Sequence, residues 1–363
     1  MTAPAEGVTP PSSPSPSSPP APPSRRGRLL QTLRVTVAVV VLAAVVYAIA
    51  RNWADVSGYL GQVSWPVLLA STLAAAVGTW LTGLGWKVLL RELGSDLHVA
   101  PASGVYFVGQ LGKYLPGSLW SVLVQADMAA RLGVPRRRTA VAGLLALGFA
   151  LLTGGLVGLP AAALLLREHW GGSPWWVLLA VPVALVLLVP RVLNRAIALG
   201  LRTLRREPLE HELSPRAVLV PVVVFLGVWA CFGVHTLLLA RAVAGDAPHP
   251  DLTVAALTGY ALSVSVGMLT IILPAGLGAR EGLMTLALAT AVPAPAAAAV
   301  AILSRFIVTV VDVLAAALGW AYARSHHLVD DARPAADPEV EAEPEAGSDD
   351  PADVSGARGR RRG

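Results

Sequence analysis

Charge is what this chain has little of: 14% of its 363 residues are Asp, Glu, Lys or Arg, against roughly 25% in soluble domains. The shortage excludes an ordinary solvated surface over most of the length. Apolar residues take the place of charge, at 55%, and they gather in runs near the roughly 20 residues that cross a hydrocarbon core of about 30 Å. Cysteine is almost missing. Cys231 stands by itself in an apolar run, which excludes a disulfide framework or a thiolate metal site within the chain, and it reads as a small buried hydrophobe. The seven histidines are scattered with no HExxH spacing, so no metal site is expected; His235, inside an apolar segment, reads as a helix-packing partner. Walker loops, GxGxxG openings, GxSxG elbows and zinc signatures are all missing. No cofactor and no nucleic-acid partner is expected. Lysine is nearly excluded too, with Lys87 and Lys113 the only two.

What is present is a chain in three parts. Residues 1–28 form a Pro/Ser-rich tail and residues 325–363 an acidic, then basic tail; neither can bury a core, and both read as disordered. Residues 29–324 are the membrane domain. Apolar runs at about 33–50, 66–90, 139–166, 174–190, 216–241 and 296–323 read as about six full spans. Two further stretches, 101–125 and 254–293, are broken by Pro and Gly. The fold class is an all-α polytopic membrane protein. The first run ends in Ala48-Ile49-Ala50, which resembles a cleavage site, but its length favours retention as an anchor.

Arginine distribution sets the orientation. Arg25, Arg26, Arg28 and Arg34 flank the first run, Lys87 and Arg91 follow the second, and Arg131 and Arg136–Arg138 precede the 139–166 run. The loop at 191–216 carries six more arginines, whereas the opposite loops hold little beyond Arg51, Arg167 and Arg241. Both termini are therefore expected in the cytoplasm of a multi-pass plasma-membrane protein. Stretch 101–125 has basic loops on both sides, so it should enter and leave by the cytoplasmic face, and 254–293 should do the same from outside. Irregular backbone at membrane depth survives only inside protein or beside a wet cavity. Leu-Pro followed by Gly recurs at both breaks, in GKYLPGSLW and IILPAGLGAREG, the mark of an inverted-topology repeat with a site between the breaks.

In the second break, Pro274 ends a helix, Gly276 and Gly278 permit backbone closed to other residues, and a new helix opens at Arg280-Glu281. Its first N–H groups and the Arg280 fork suit an anion. Glu281 can cap its own helix, neutralise Arg280, or meet an arginine elsewhere. In the first break, Lys113 and Tyr114 precede Pro116-Gly117, and Ser118 is a candidate N-cap for a helix through Trp120. Lys113 could meet a lipid phosphate or snorkel to headgroups, and Tyr114 and Trp120 could be interfacial belt residues. Arg305 and Asp312 lie within the last span, where a charge costs roughly 2.5–3.5 kcal/mol. Seven residues apart, they are separated by about 10 Å of rise. Separate partners follow: Glu281 for Arg305, and Lys113 or Arg280 for Asp312.

At these motifs the chain resembles the transmembrane region of lysylphosphatidylglycerol synthases, a flippase-like integral membrane family. One carrying element is Gly112-x-Tyr114-x-Pro116-Gly117 with Trp120; the other is Pro274-x-Gly276-x-Gly278-x-Arg280-Glu281-Gly282. The resemblance spans about residues 30–325 and implies movement of a lipid between leaflets. The sequence has no counterpart of the soluble aminoacyl-transferase domain, so lipid aminoacylation is not implied. Some members accompany glycosyltransferases of polyprenol-linked sugars, which adds lipid-linked glycans to anionic and aminoacylated phospholipids as substrates, and such enzymes as partners. The reading is a lipid flippase-like transporter, more a carrier than an enzyme. Its competitors are an intramembrane transferase using Glu281 or Asp312 as base, and an accessory subunit of an envelope-lipid enzyme. With no ATP site, movement would be passive, ion-coupled or driven by a partner.

Overall fold

A computed structural model describes residues 53–114, 120–170, 174–203, 213–245, 249–270, 276 and 278–325. The expected first span at 33–50 and both tails lie outside the described residues. Among the described residues there is helix and no strand. The helices are α1 (Trp53–Leu60), α2 (Trp65–Glu92), α3 (Val99–Gln110), α4 (Trp120–Ala130), α5 (Arg136–Trp170), α6 (Ala180–Leu187), α7 (Pro190–Thr203), α8 (Pro215–Val243), α9 (Leu252–Leu269), α10 (Ala279–Ala289) and α11 (Ala294–Ser325). Five of them, α2, α5, α8, α9 and α11, are long and apolar enough to cross a membrane. The protein is an all-α, multi-pass membrane protein.

Local chemistry explains the ends. Ser214 caps α8 by accepting from the Ala217 N–H at 3.1 Å, and Pro215 supplies a first position with no donor to satisfy. The outer face of α2 presents Trp65, Leu69, Leu73, Val77 and Trp80, a stripe repeating at roughly one helical turn. In water such a stripe would be a liability; against lipid it is the expected surface.

One expectation needs correction. The run at 174–190 is not a single straight span: it forms a 3-10 turn at Trp175–Leu179, then α6, then a bend of 72° into α7. Pro190 cannot continue the helix before it, and α7 places Arg191, Arg195 and Arg202 on its exposed side, which suits an interfacial position better than a hydrocarbon one.

The topology is a pair of inverted units, α2–α5 and α8–α11. Helices α2 and α8 lie antiparallel across the centre: Gly85 meets Phe225, Gly78 meets Phe232, and Ser71 meets His235. The broken pair α3/α4 leans on α11 of the other unit, where the Gly319 and Gly104 backbones touch. The broken pair α9/α10 leans on α5 in the corresponding way. There a Cβ added at Gly158 would sit 2.7 Å from the Leu262 Cα, and one at Gly154 would sit 2.5 Å from the Ser265 hydroxyl. Gly154-xxx-Gly158 is the small-residue spacing that lets membrane helices approach closely. Apolar solvent leaves little hydrophobic drive between helices, so this closeness and buried hydrogen bonds hold the units together. His235 supplies one such clasp. Its Nδ1 lies 2.7 Å from the Ser71 hydroxyl and its Nε2 lies 2.9 Å from the Ser304 hydroxyl, all three fully or almost fully buried. It joins α2, α8 and α11, the packing role its isolation in sequence suggested.

Both broken pairs return to the end they started from. At one end, Arg138 donates to the Gly94 carbonyl at 3.1 Å, Lys87 meets Asp96 at 2.9 Å and Arg136 meets Asp127 at 2.9 Å. The Lys87 hydrogen bond holds the exposed Asp96 carboxyl below the usual range. These contacts gather the start of α3, the end of α4 and the start of α5. At the other end of α5, about 44 Å away for 29 residues of rise, Arg167 pairs with Asp251 at the start of α9. The two pairs thus enter from opposite ends. They are unequal: 18-residue α9 rises about 27 Å and crosses almost completely, whereas 11-residue α10 rises about 16 Å.

Candidate functional site

Where the two breaks face each other, a cavity of about 440 Å³ opens between the units. Its wall from α5 and α8 is apolar, with Leu147, Leu151, Phe225, Val228, Trp229 and Phe232. Lys113, Arg280, Arg305 and Asp312 also line it. Tyr106, Gln110, Tyr260, Thr79 and Thr82 fill the polar margin. The result is an amphipathic chamber, lined by cations and by aliphatic and aromatic side chains together.

The cationic lining is built from three elements. The α3/α4 break contributes Lys113, at the end of a 3-10 turn over Leu111–Tyr114. A Cβ added at Gly112 would lie 2.7 Å from the Ser121 N and 2.8 Å from the Trp120 carbonyl carbon, so glycine there is what lets the two limbs meet. Lys113 Nζ lies 2.7 Å from Asp312 Oδ2, and the Tyr114 hydroxyl donates to the same oxygen at 2.7 Å. Asp312, on α11, is 6% exposed and Lys113 34%, so the carboxylate is the buried partner and the ammonium faces the chamber.

The α9/α10 break contributes Arg280 and Glu281. Gly276 and Gly278 take positive φ of 67° and 82°, a region that costs a side-chain-bearing residue energy. Gly276 also presses on the Gly267 backbone, with 3.0 Å between an added Cβ and the Gly267 Cα. The Glu281 carboxylate caps its own helix, accepting from the Gly278 N–H at 2.7 Å. Its other oxygen lies 3.5 Å from Arg305 Nε, a charge contact longer than an ideal hydrogen bond. A self-contained Arg280–Glu281 pair does not form. Arg280 instead donates to the Tyr260 hydroxyl and lies 4.6 Å from the Tyr260 ring centroid, with Phe232 stacked 4.6 Å from that ring. Arg305 in turn sits 5.7 Å from the Tyr114 ring centroid. The α10 start, capped at Gly278 by Glu281, thus sets the positive end of its helix dipole beside a guanidinium.

The residues singled out from sequence divide into three groups. Lys113, Gly276, Arg280, Arg305 and Asp312 line the chamber; Tyr114, Gly278 and Glu281 stand directly behind them. Trp120 does not join them. It is 47% exposed and lines a separate groove with Pro101, Leu123, Met128 and Trp320, because α4 turns that face outward. Pro116, Gly117, Ser118 and Pro274 lie outside the described residues. Sequence reading passed over Tyr260, Tyr106, Thr79, Thr82 and Trp229. The available signal was weak: polar-tipped side chains inside otherwise apolar runs, where an unsatisfied group is costly. Trp229 Nε1 donates to Thr153 at 2.9 Å and the Gln110 amide to the Tyr106 hydroxyl at 2.5 Å. Among the described residues no His, Cys, Asp and Glu cluster suited to a metal is present.

Comparison with known families gives one match: the family described as lysylphosphatidylglycerol synthase TM region, over residues 32–316. No curated protein matches the chain. The match takes in α1 to α10, both breaks around the chamber and α11 as far as residue 316.

Proposed function

The chain belongs to the lysylphosphatidylglycerol synthase TM-region family, and from that premise we propose that it carries a lipid with an anionic headgroup between membrane leaflets. The observation that supports this most is the mixed lining of one chamber: three cations and one carboxylate together with six large apolar side chains. Its volume, about 440 Å³, lies within the roughly 300–1,000 Å³ of small-molecule sites. In this reading the phosphate sits at the α10 start against Arg280, with Lys113 within reach. The acyl or polyprenyl chains stay along the apolar wall and in the bilayer. Anionic phospholipids, aminoacylated phospholipids and lipid-linked glycans all present such a phosphate.

The intramembrane-transferase alternative receives less support. A general base needs a carboxylate free to accept a proton. Glu281 is engaged by the Gly278 N–H and Arg305, and Asp312 by Lys113 and Tyr114. An enzyme partner that supplies or consumes the lipid is compatible with the carrier reading, since the chamber is filled from the bilayer.

Reconstitution with headgroup-labelled lipids tests the proposal. The wild type is expected to translocate faster than empty liposomes. Arg280→Ala should slow it by about tenfold or more, since hydrogen bonds to charged groups contribute about 1.5–3 kcal/mol. Glu281→Gln should slow it less, because the amide can still accept from Gly278. Translocation at the rate of empty liposomes across anionic, aminoacylated and polyprenol lipids sinks the reading.

We further place both termini in the cytoplasm of a plasma-membrane protein, on the arginine asymmetry. In a Cys231→Ala background, Arg167→Cys should react with an impermeant thiol reagent added outside cells, and Arg137→Cys should not. The reverse pattern inverts the topology.

A further inference from the structure

The charges around the chamber do not cancel. Lys113 is matched by Asp312 at 2.7 Å and Arg305 by Glu281 at 3.5 Å. Arg280 has a phenol as its partner, through the Tyr260 hydroxyl and ring, and no carboxylate within salt-bridge distance among the described residues. Among the described residues, these three cations and two carboxylates leave one positive charge. The undescribed residues of the breaks, 115–119, 271–275 and 277, include no ionisable side chain, so they leave the sum unchanged. A single uncompensated charge in a chamber walled by Leu147, Leu151, Phe225 and Val228 is costly when the chamber closes away from water.

We infer that the ligand is a phosphodiester carrying one negative charge and no headgroup cation. This rests on the carrier reading above and narrows it. One negative charge on Arg280 neutralises the cluster. A zwitterionic headgroup leaves the positive charge uncancelled, a lysyl-esterified headgroup adds to it, and a phosphomonoester above its second pKa of about 6 overshoots to net negative. Arg280 lines the chamber from the first turn of α10, where the helix dipole is positive. The stack of Phe232 and Tyr260 beneath it holds the guanidinium plane.

The test is calorimetric binding to the purified full chain at pH 8, with short-chain lipids of one tail length and four headgroups. These are phosphatidylglycerol, phosphatidylethanolamine, phosphatidic acid and lysyl-phosphatidylglycerol, with dimethyl phosphate as a tail-less phosphodiester. Phosphatidylglycerol should bind about tenfold or more tightly than the other three lipids. Arg280→Gln should erase its advantage over the ethanolamine lipid, and Arg280→Lys should keep it. Asp312→Asn, with one more positive charge, should shift the preference toward phosphatidic acid. The wild-type ranking decides the matter even where a variant does not fold. Binding without that ranking, or a ranking that Arg280→Gln leaves intact, overturns the charge inference while a lipid site stands. Dimethyl phosphate binding as tightly as phosphatidylglycerol keeps the charge inference and overturns the lipid-carrier reading. No binding by any of the five overturns both.

Discussion

Asp312→Ala is expected to destabilise the protein by about 3 kcal/mol and to abolish translocation, the largest effect of any single charge change in the chamber. Asp312 is 6% exposed and takes both Lys113 and the Tyr114 hydroxyl on one oxygen. Removing it leaves an ammonium and a phenol without their acceptor at the tip of the α3/α4 break. Breaking a buried pair from one side costs about 3–5 kcal/mol; the lower figure applies because Lys113 is 34% exposed and can turn toward water. Replacing both partners with apolar residues is a different matter, since buried pairs are often neutral or worse against a well-packed hydrophobic pair. Lys113→Met with Asp312→Leu should therefore recover most of the thermal stability but none of the transport. Thermal unfolding in detergent and the liposome assay read the two halves separately. A single mutant as stable as wild type would show that the pair acts as a surface contact, and a double mutant that transports would remove Lys113 and Asp312 from the mechanism.

The second large effect concerns packing. Gly158→Leu is expected to cost at least about 3 kcal/mol, while Gly155→Leu, three residues earlier on α5, should cost little. A Cβ at 158 meets the Leu262 backbone, with Cα at 2.7 Å and N at 2.8 Å, whereas one at 155 meets nothing within 4 Å. Backbone cannot turn aside as a side chain can. The substitution must push α9 from α5 and, with it, the break that carries Arg280. Yield and thermal unfolding of the two variants check this; equal behaviour would mean that α5 and α9 do not meet at these glycines.

Much of this architecture was legible in one dimension. The apolar runs, the two Pro/Gly breaks and the basic loops on either side of 101–125 led to opposed hairpins, and the structure has them entering from opposite ends. Arg305 and Asp312 stood out because charge inside an apolar run is expensive, and their separation along α11 pointed to separate partners. The run at 174–190 misled because hydrophobicity measures length, not continuity, and Pro190 breaks it. Trp120, for which the sequence left a belt role open, turns away from the chamber, because its place beside a break says nothing about which way α4 turns. Gly154 and Gly158 were passed over because a glycine in an apolar helix carries no sign of the neighbour it admits.

The sequence by itself determined that this is a helical membrane protein with two broken hairpins and charges that lipid would not tolerate. Those conclusions follow from transfer energy and from the backbone limits of Pro and Gly, which act residue by residue. Sequence put Glu281 with Arg305, as the structure has it, but only the tertiary structure chose Lys113 over Arg280 for Asp312. Tyr114 and Asp312 are 198 positions apart and Lys113 one more, and whether they meet depends on how closely glycine lets α3 approach α11. Arg280 and Glu281, adjacent in sequence, diverge to Tyr260 and Arg305 because neighbours on a helix point about 100° apart. That divergence leaves Arg280 with a phenol and no carboxylate among the described residues, which no count along the chain could have revealed.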